Sequence, residues 1–172
     1  MSIIPNGEFT PDRAPYLDGN LHVATNIYPR SDGSDGPLSG SVVISNALAA
    51  ACKGGYTARD KTNAVYVIAG TAAKLYIQNG LAWTDKSGAA YTVPSPGQWA
   101  LAQFGEVIIA TDYIDNVQAW TLGAAGNFAD LSAGAPKAKY VSVIEPGFVM
   151  LGYYSDGTTY PNGVRWSGLN DS

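Results

Sequence analysis

The sequence predicts an all-β chain built of propeller-like, four-stranded antiparallel blades. Three observations carry that expectation: a turn-rich, aromatic composition, a set of short apolar runs, and an internal repeat that places those runs about 41–42 residues apart. Twenty Gly and ten Pro punctuate the chain too often for long helices. Eleven Tyr and four Trp favour strands and bury area while keeping a polar handle. Hydrophobic residues make up 46% and charged residues 14%, which suits a packed domain and excludes a charge-rich disordered chain.

The first 55 residues do not match the repeat. "GNLHVATNIYPRSDGSDGPLSG" contains one expected strand around Leu21 to Tyr28, followed by a polar turn cluster. "SVVISNALAAACKGG" reads as a short strand and a helical turn stopped by Gly54-Gly55. Residues 1–55 are therefore expected to form an arm that docks on a neighbour or a strand that closes a ring.

Residues 56–172 hold about 2.8 repeat units, expected as blades over 56–97, 98–138 and an incomplete 139–172. The central strand of the first is Val65-Tyr66-Val67-Ile68-Ala69-Gly70, preceded by a weak strand at Tyr56–Arg59. The second is Val107-Ile108-Ile109-Ala110-Thr111-Asp112, reached from Trp99–Phe104 through a two-residue Gly105-Glu106 turn. The third is Phe148-Val149-Met150-Leu151-Gly152-Tyr153, reached from Tyr140–Ile144 through Glu145-Pro146-Gly147. Such continuous apolar runs predict strands covered on both faces. A third strand follows each, carrying Tyr76, Trp120 or Trp166, and then an outer strand with aromatic-x-Asp: Trp83-Thr84-Asp85 and Phe128-Ala129-Asp130. A β-sandwich also repeats strands at roughly 8–12 residues, but gives no reason for the strand types to recur in one order. The third unit stops where its outer strand is due, so the expectation is the N-terminal part of a longer propeller, with subunit completion as the alternative.

Sites of chemistry are sparse. A net charge of −4 without a basic run argues against a phosphate-gripping surface, though DNA can still slide past an acidic lumen. His22 is the single His, expected to be a hydrogen-bonded structural residue; Cys52 is the single Cys, so no intrachain disulfide or Ser-His-Asp, Cys-His or zinc constellation is expected. Asp32 and Asp35 in "SDGSDGP" resemble a Ca²⁺-loop fragment, but lack the ligand alternation and closing Glu and read as a turn. Asp112 with Asp115, or Asp85 with Asp130, is a conceivable glycosidase pair; the latter two occupy corresponding repeat positions, which structural repetition explains. "YSDGTTYPNGVRW" lacks the Ser-x-Asp-x-Gly-x-x-Trp spacing of sialidase turns. Gly70, Gly105 and Gly123 form no phosphate loop. No catalytic, cofactor-binding or metal-binding residue, and no cofactor, is assigned. The Trp residues 83, 99, 120 and 166 are expected at equivalent positions, packing between blades; a sugar platform is the alternative, with "TDYIDN" (111–116) and "YYSDGTTYPNG" (153–163) as its loops.

The opening "MSIIPNGEFTPDRAPYL" shows no signal-peptide pattern, and no apolar run approaches about 18 residues, so a soluble chain made in a cytoplasm is expected.

The strings "NLHVATNIYPRSDGSDGPLSG", "VIAGTAAKLY", "WALAQFGEVIIATD", "VQAW", "FADL" and "VRWSG", with the Gly-Gly before the first blade, resemble tail hub or nozzle proteins of short-tailed bacteriophages, also described as packaged-DNA stabilisation proteins. The resemblance implies a non-enzymatic virion component: a ring of subunits, a hexamer among the arrangements it admits, each with a β-propeller. That ring would extend the DNA channel, retain the genome and pass it on at ejection. Implied partners are the adaptor and portal side, a distal needle or fibres, and passing DNA. Members of that family are longer chains. A carbohydrate- or receptor-binding propeller, such as a fibre component, is the second expectation, and a fragment of a glycan-cleaving propeller the third.

Overall fold

The computed structural model describes residues 27–29, 35–37, 40, 42–144 and 147–169. The chain divides into two compact units, residues 1–43 and 44–172. In the first, β1 (Ile27–Pro29) and β2 (Asp35–Pro37) pair antiparallel, Tyr28 opposite Gly36. Asp35 is thus a strand residue instead of part of a turn, because the Gly-Pro after it continues an extended ladder. His22, Asp32 and most of the expected Leu21–Tyr28 strand lie outside the described residues.

The second unit is all-β, with no helix among the described residues. Sheet 1 is a meander of β3 (Gly54–Arg59), β4 (Val65–Gly70), β5 (Leu75–Asn79) and β6 (Ala82–Asp85). Sheet 2 repeats that order with β7 (Ala100–Phe104), β8 (Val107–Thr111), β9 (Gln118–Thr121) and β10 (Ala129–Asp130). Sheet 3 holds β11 (Lys137–Ile144), β12 (Phe148–Ser155) and β13 (Thr159–Trp166).

The expected strand and helical turn before Gly54 are absent. Residues 44–53 instead bond to sheet 1: Asn46 N–H donates to Leu81 O at 2.6 Å and Lys53 N–H to Gly70 O at 2.7 Å, while Gln78 Nε2 donates to Ile44 O at 2.8 Å. A helix would consume those backbone groups internally, and the strip would leave the sheet. Gly54-Gly55 opens β3, which pairs with β4 over six residues; the weak run is held by its neighbour.

The sheets stack face to face, and alternation along β8 shows how. Ile108 and Ala110 join Ile68, Leu75 and Ile77 in the core between sheets 1 and 2. Ile109 points the other way, into a core with Ala138, Val149 and Leu151 of sheet 3. The period of two thus feeds both faces of one central strand. β8 is buried on both faces from Ile108 to Thr111, and β4 and β5 are buried on both faces over Ile68–Gly70 and Leu75–Ile77. Val65 of β4 is exposed while Ala69, on the same face, is buried, so cover on both faces holds for Ile68–Gly70 and is corrected for the start of the run.

Ladder pairing fixes which residues correspond. Ala69 pairs Tyr76, Ala110 pairs Gln118 and Leu151 pairs Arg165. Ile68 and Ile109 each face the next sheet, so the structural repeat between β4 and β8 is odd, one residue shorter than the 42 read from Val65 and Val107. A one-residue change is what reverses faces in a strand.

The four Trp are not at equivalent positions. Trp99 precedes β7 and seals the seam between sheets 1 and 2, its Nε1 donating to Thr71 O at 2.8 Å. Trp120 on β9 meets Tyr66 of β4 edge-on, ring centroids 6.0 Å apart. Trp83 is half-buried on β6, its Nε1 donating to Asn46 O at 2.8 Å. Trp166 on β13 pairs with Met150 and so corresponds to Ala119 and not to Trp120; it is 68% exposed on the outer face of sheet 3, where none of the described residues stacks.

Candidate functional site

Both segments singled out as loops from the sequence reach one groove, although 153–155 and 159–163 are strand in β12 and β13 and only 156–158 lie between them. The groove has a volume of about 450 Å³ and is lined by Pro94, residues 96–100 and by Asp112, Tyr113, Ile114, Lys139, Tyr140 and Tyr153. Tyr113 and Tyr153 meet edge-on at 5.1 Å, and the Tyr113 hydroxyl lies 3.1 Å from Thr159 Oγ1, joining loop 111–116 to the β12–β13 turn. Lys139 Nζ lies 5.4 Å from the rings of both Tyr140 and Tyr153, within cation–π reach.

Local backbone chemistry aims these rings. Asp112 Oδ1 accepts the N–H groups of Ile114 and Asp115 at 3.0 and 2.9 Å, which closes a tight Asx turn. Tyr113 inside that turn sits at φ +78° and Tyr153 at φ +48°, a region bulky side chains rarely adopt. A register shift between Gly152 and Tyr154 is a bulge that re-aims Tyr153. Two facing tyrosines at the groove thus hold sparsely populated backbone conformations.

Asp112 is buried, and its Oδ2 has no hydrogen-bond partner among the described residues. Burial, with the Asp115 carboxylate adding repulsion, pushes its pKa above the ordinary carboxyl value. The native state then holds a proton over a pH window in which the unfolded chain has released it. Stability linked to that proton is present below the ordinary carboxyl pKa and lost as pH rises through the raised value. Asp112→Asn is therefore expected to gain stability relative to the parent as pH rises from about 3.5 to neutrality, read from urea unfolding at several pH values. A difference independent of pH would contradict this.

Asp115 comes from the same turn as Asp112, and its Oδ2 accepts Thr92 N–H at 2.6 Å. Asp85 and Asp130 end up in different sheets at corresponding positions, opposite Tyr76 and Gln118. Burial tends to raise the Asp85 pKa, but ion pairing with Lys74 and bonds from Ser87 hold it below the usual range. Asn116 and Gln118 do the same for Asp130, at 2.7 Å each. Asp156 pairs with Arg165 at 3.3 Å. Cys52 is exposed, its thiol 3.3 Å from Gly54 O. Among the described residues no three His, Cys, Asp or Glu side chains gather as metal ligands, and no helix is long and apolar enough to cross a membrane.

Sequence reasoning missed Lys139, Tyr140 and the Pro94–Gln98 wall. Alternation in "KAKYVSVI" marks a strand face, but only the packing of β11 beside β7 places that face at the groove. No protein-family model matches the chain, and no curated protein matches it in sequence.

Proposed function

We propose that the chain is a structural module of a bacteriophage tail, contributing β-propeller-like blades to a hub or nozzle ring that extends the DNA channel and helps retain and deliver the genome. The sequence resemblance supplies the tail context. The observation that carries the assembly reading is the outer face of sheet 3, where Ile144, Phe148, Met150 and Trp166 line one apolar patch. In the stack, the corresponding face of sheet 2 is the one that packs on sheet 3. A further blade laid on that patch would bury Trp166 as Ile109 is buried, and burial of such faces is the main driving force for association.

Native mass spectrometry and light scattering test this on the intact chain. Multiples of 18.0 kDa are expected, and Trp166→Lys with Met150→Lys should reduce them to monomer while circular dichroism is unchanged. A parent that stays monomeric at high micromolar concentration overturns the self-assembly reading. Proteomics of purified virions tests the tail context, and absence of the polypeptide from them overturns it.

A second reading, a carbohydrate-binding module, is favoured by the Tyr113–Tyr140–Tyr153 groove, since exposed aromatic faces beside polar groups suit the apolar faces of sugar rings. Tyr140 is 56% exposed and presents the most accessible ring of the three. If a glycan array yields a ligand, Tyr140→Ala and Tyr153→Ala should each weaken its binding by about tenfold or more, measured by titration calorimetry. Unchanged affinity in both would remove the groove from this role.

A further inference from the structure

In sheets 1 and 2 the fourth strand does the same two things. Its Asp sits opposite the third strand, Asp85 across from Tyr76 and Asp130 across from Gln118, and is met by donors of that strand or the residues before it. Those donors are Lys74 in sheet 1 and Asn116 with Gln118 in sheet 2. Its aromatic, two residues earlier, shares the Asp's face. Phe128 is buried in the seam with sheet 1, 5.9 Å from the Trp120 ring, and its N–H donates to Lys86 O at 2.8 Å.

Sheet 3 carries the counterparts of these receiving groups on its edge. Ladder pairing makes Arg165 the equivalent of Tyr76 and Gln118, so a cation stands where a fourth-strand carboxylate would arrive. The segment after β10 corresponds to the one after β6: Leu131 N–H donates to Val117 O as Lys86 N–H donates to Leu75 O. Leu131, Ala135 and Pro136, with Leu151, Arg165 and Trp166, line a cavity of about 210 Å³, in the place that corresponds to the Phe128 seat. Among the described residues, β13 has no strand on its outer side.

We infer that β13 is an acceptor for an antiparallel β-strand of aromatic-x-carboxylate type. Its carboxylate pairs with Arg165 and its aromatic fills the cavity between β13 and residues 131–136. The main chain supplies ladder hydrogen bonds along Thr159–Trp166, as in recognition by strand addition, and the acid opposite Arg165 fixes the register. Asp156, now 3.3 Å from Arg165, is an exposed partner that such a strand displaces at little cost. The inference deepens the assembly reading by naming the chemistry of the partner.

The probe is a fluorescein-labelled peptide copying residues 124–133, AAGNFADLSA, titrated with the intact chain and followed by anisotropy. Saturable binding is expected. A peptide with Lys in place of its Asp, and separately the protein variant Arg165→Glu, should each weaken binding by about tenfold or more. Combining the two should restore it. A peptide with Ala in place of its Phe tests the cavity, and it needs no protein variant. Absence of saturable binding overturns the proposal, as does binding indifferent to the peptide changes. Because the strand is added, a chain that proves monomeric would overturn self-assembly and leave this inference standing.

Discussion

Trp99→Ala is expected to lower the unfolding free energy by about 3–5 kcal/mol, the range for deleting a large buried aromatic. Trp99 is 5% exposed and meets Tyr91 edge-on at 5.1 Å. It is tied at both ends, by its N–H to Lys53 O at 2.8 Å and by Nε1 to Thr71 O at 2.8 Å. Truncation therefore opens a cavity in the seam and leaves the Thr71 carbonyl without its donor. The indole lies so close to β4 that a Cβ at residue 70 would stand 2.2 Å from Trp99 Cδ1. Gly70→Ala should thus be destabilising alone and much less so in the Trp99→Ala background. Urea unfolding of the two single variants and the double variant reads that non-additivity directly. Strictly additive losses would mean that the wedge does not depend on the glycine.

Gly88→Ala is expected to cost about 3 kcal/mol, at the upper end for overpacking. A Cβ there would lie 1.9 Å from the carbonyl oxygen of Phe128. That atom is backbone, so no side-chain rotation relieves the clash. Moving it breaks the bond from Phe128 N–H to Lys86 O and lifts Phe128 off Trp120. Trp120 also sits 5.8 Å from Lys86 Nζ, so its fluorescence should change together with stability. A loss below about 1 kcal/mol would show that the seam between the β6 and β10 ends is looser than these contacts require.

The two variants test seams that differ in how visible they were in the sequence. Phe128 was marked by the recurring aromatic-x-Asp pattern, and the structure buries it in its seam. Trp99 was marked only as an aromatic before a strand, and its wedge against Gly70 depends on two segments nearly thirty residues apart. The loop 111–116 was legible as a polar, aromatic turn, whereas the expected loop 153–163 is mostly strand, with only residues 156–158 between β12 and β13. That the two segments meet, through Tyr113 and Thr159, was not legible. Residues 44–53 read as a strand and helix because their apolar side chains mimic both, whereas the backbone groups of Ile44, Asn46 and Lys53 bond to sheet 1.

The sequence by itself determined the strand order within each sheet, since period-two apolar runs, Gly turns and the repeat are properties of contiguous residues. Chain-local chemistry decides which side chains alternate and where the backbone reverses. Tertiary structure alone decided which face of each strand is buried, how far along β8 both faces are covered, and that Arg165 corresponds to Gln118. Those depend on registry across seams, where a shift of one residue exchanges the two faces, and no local pattern records that shift.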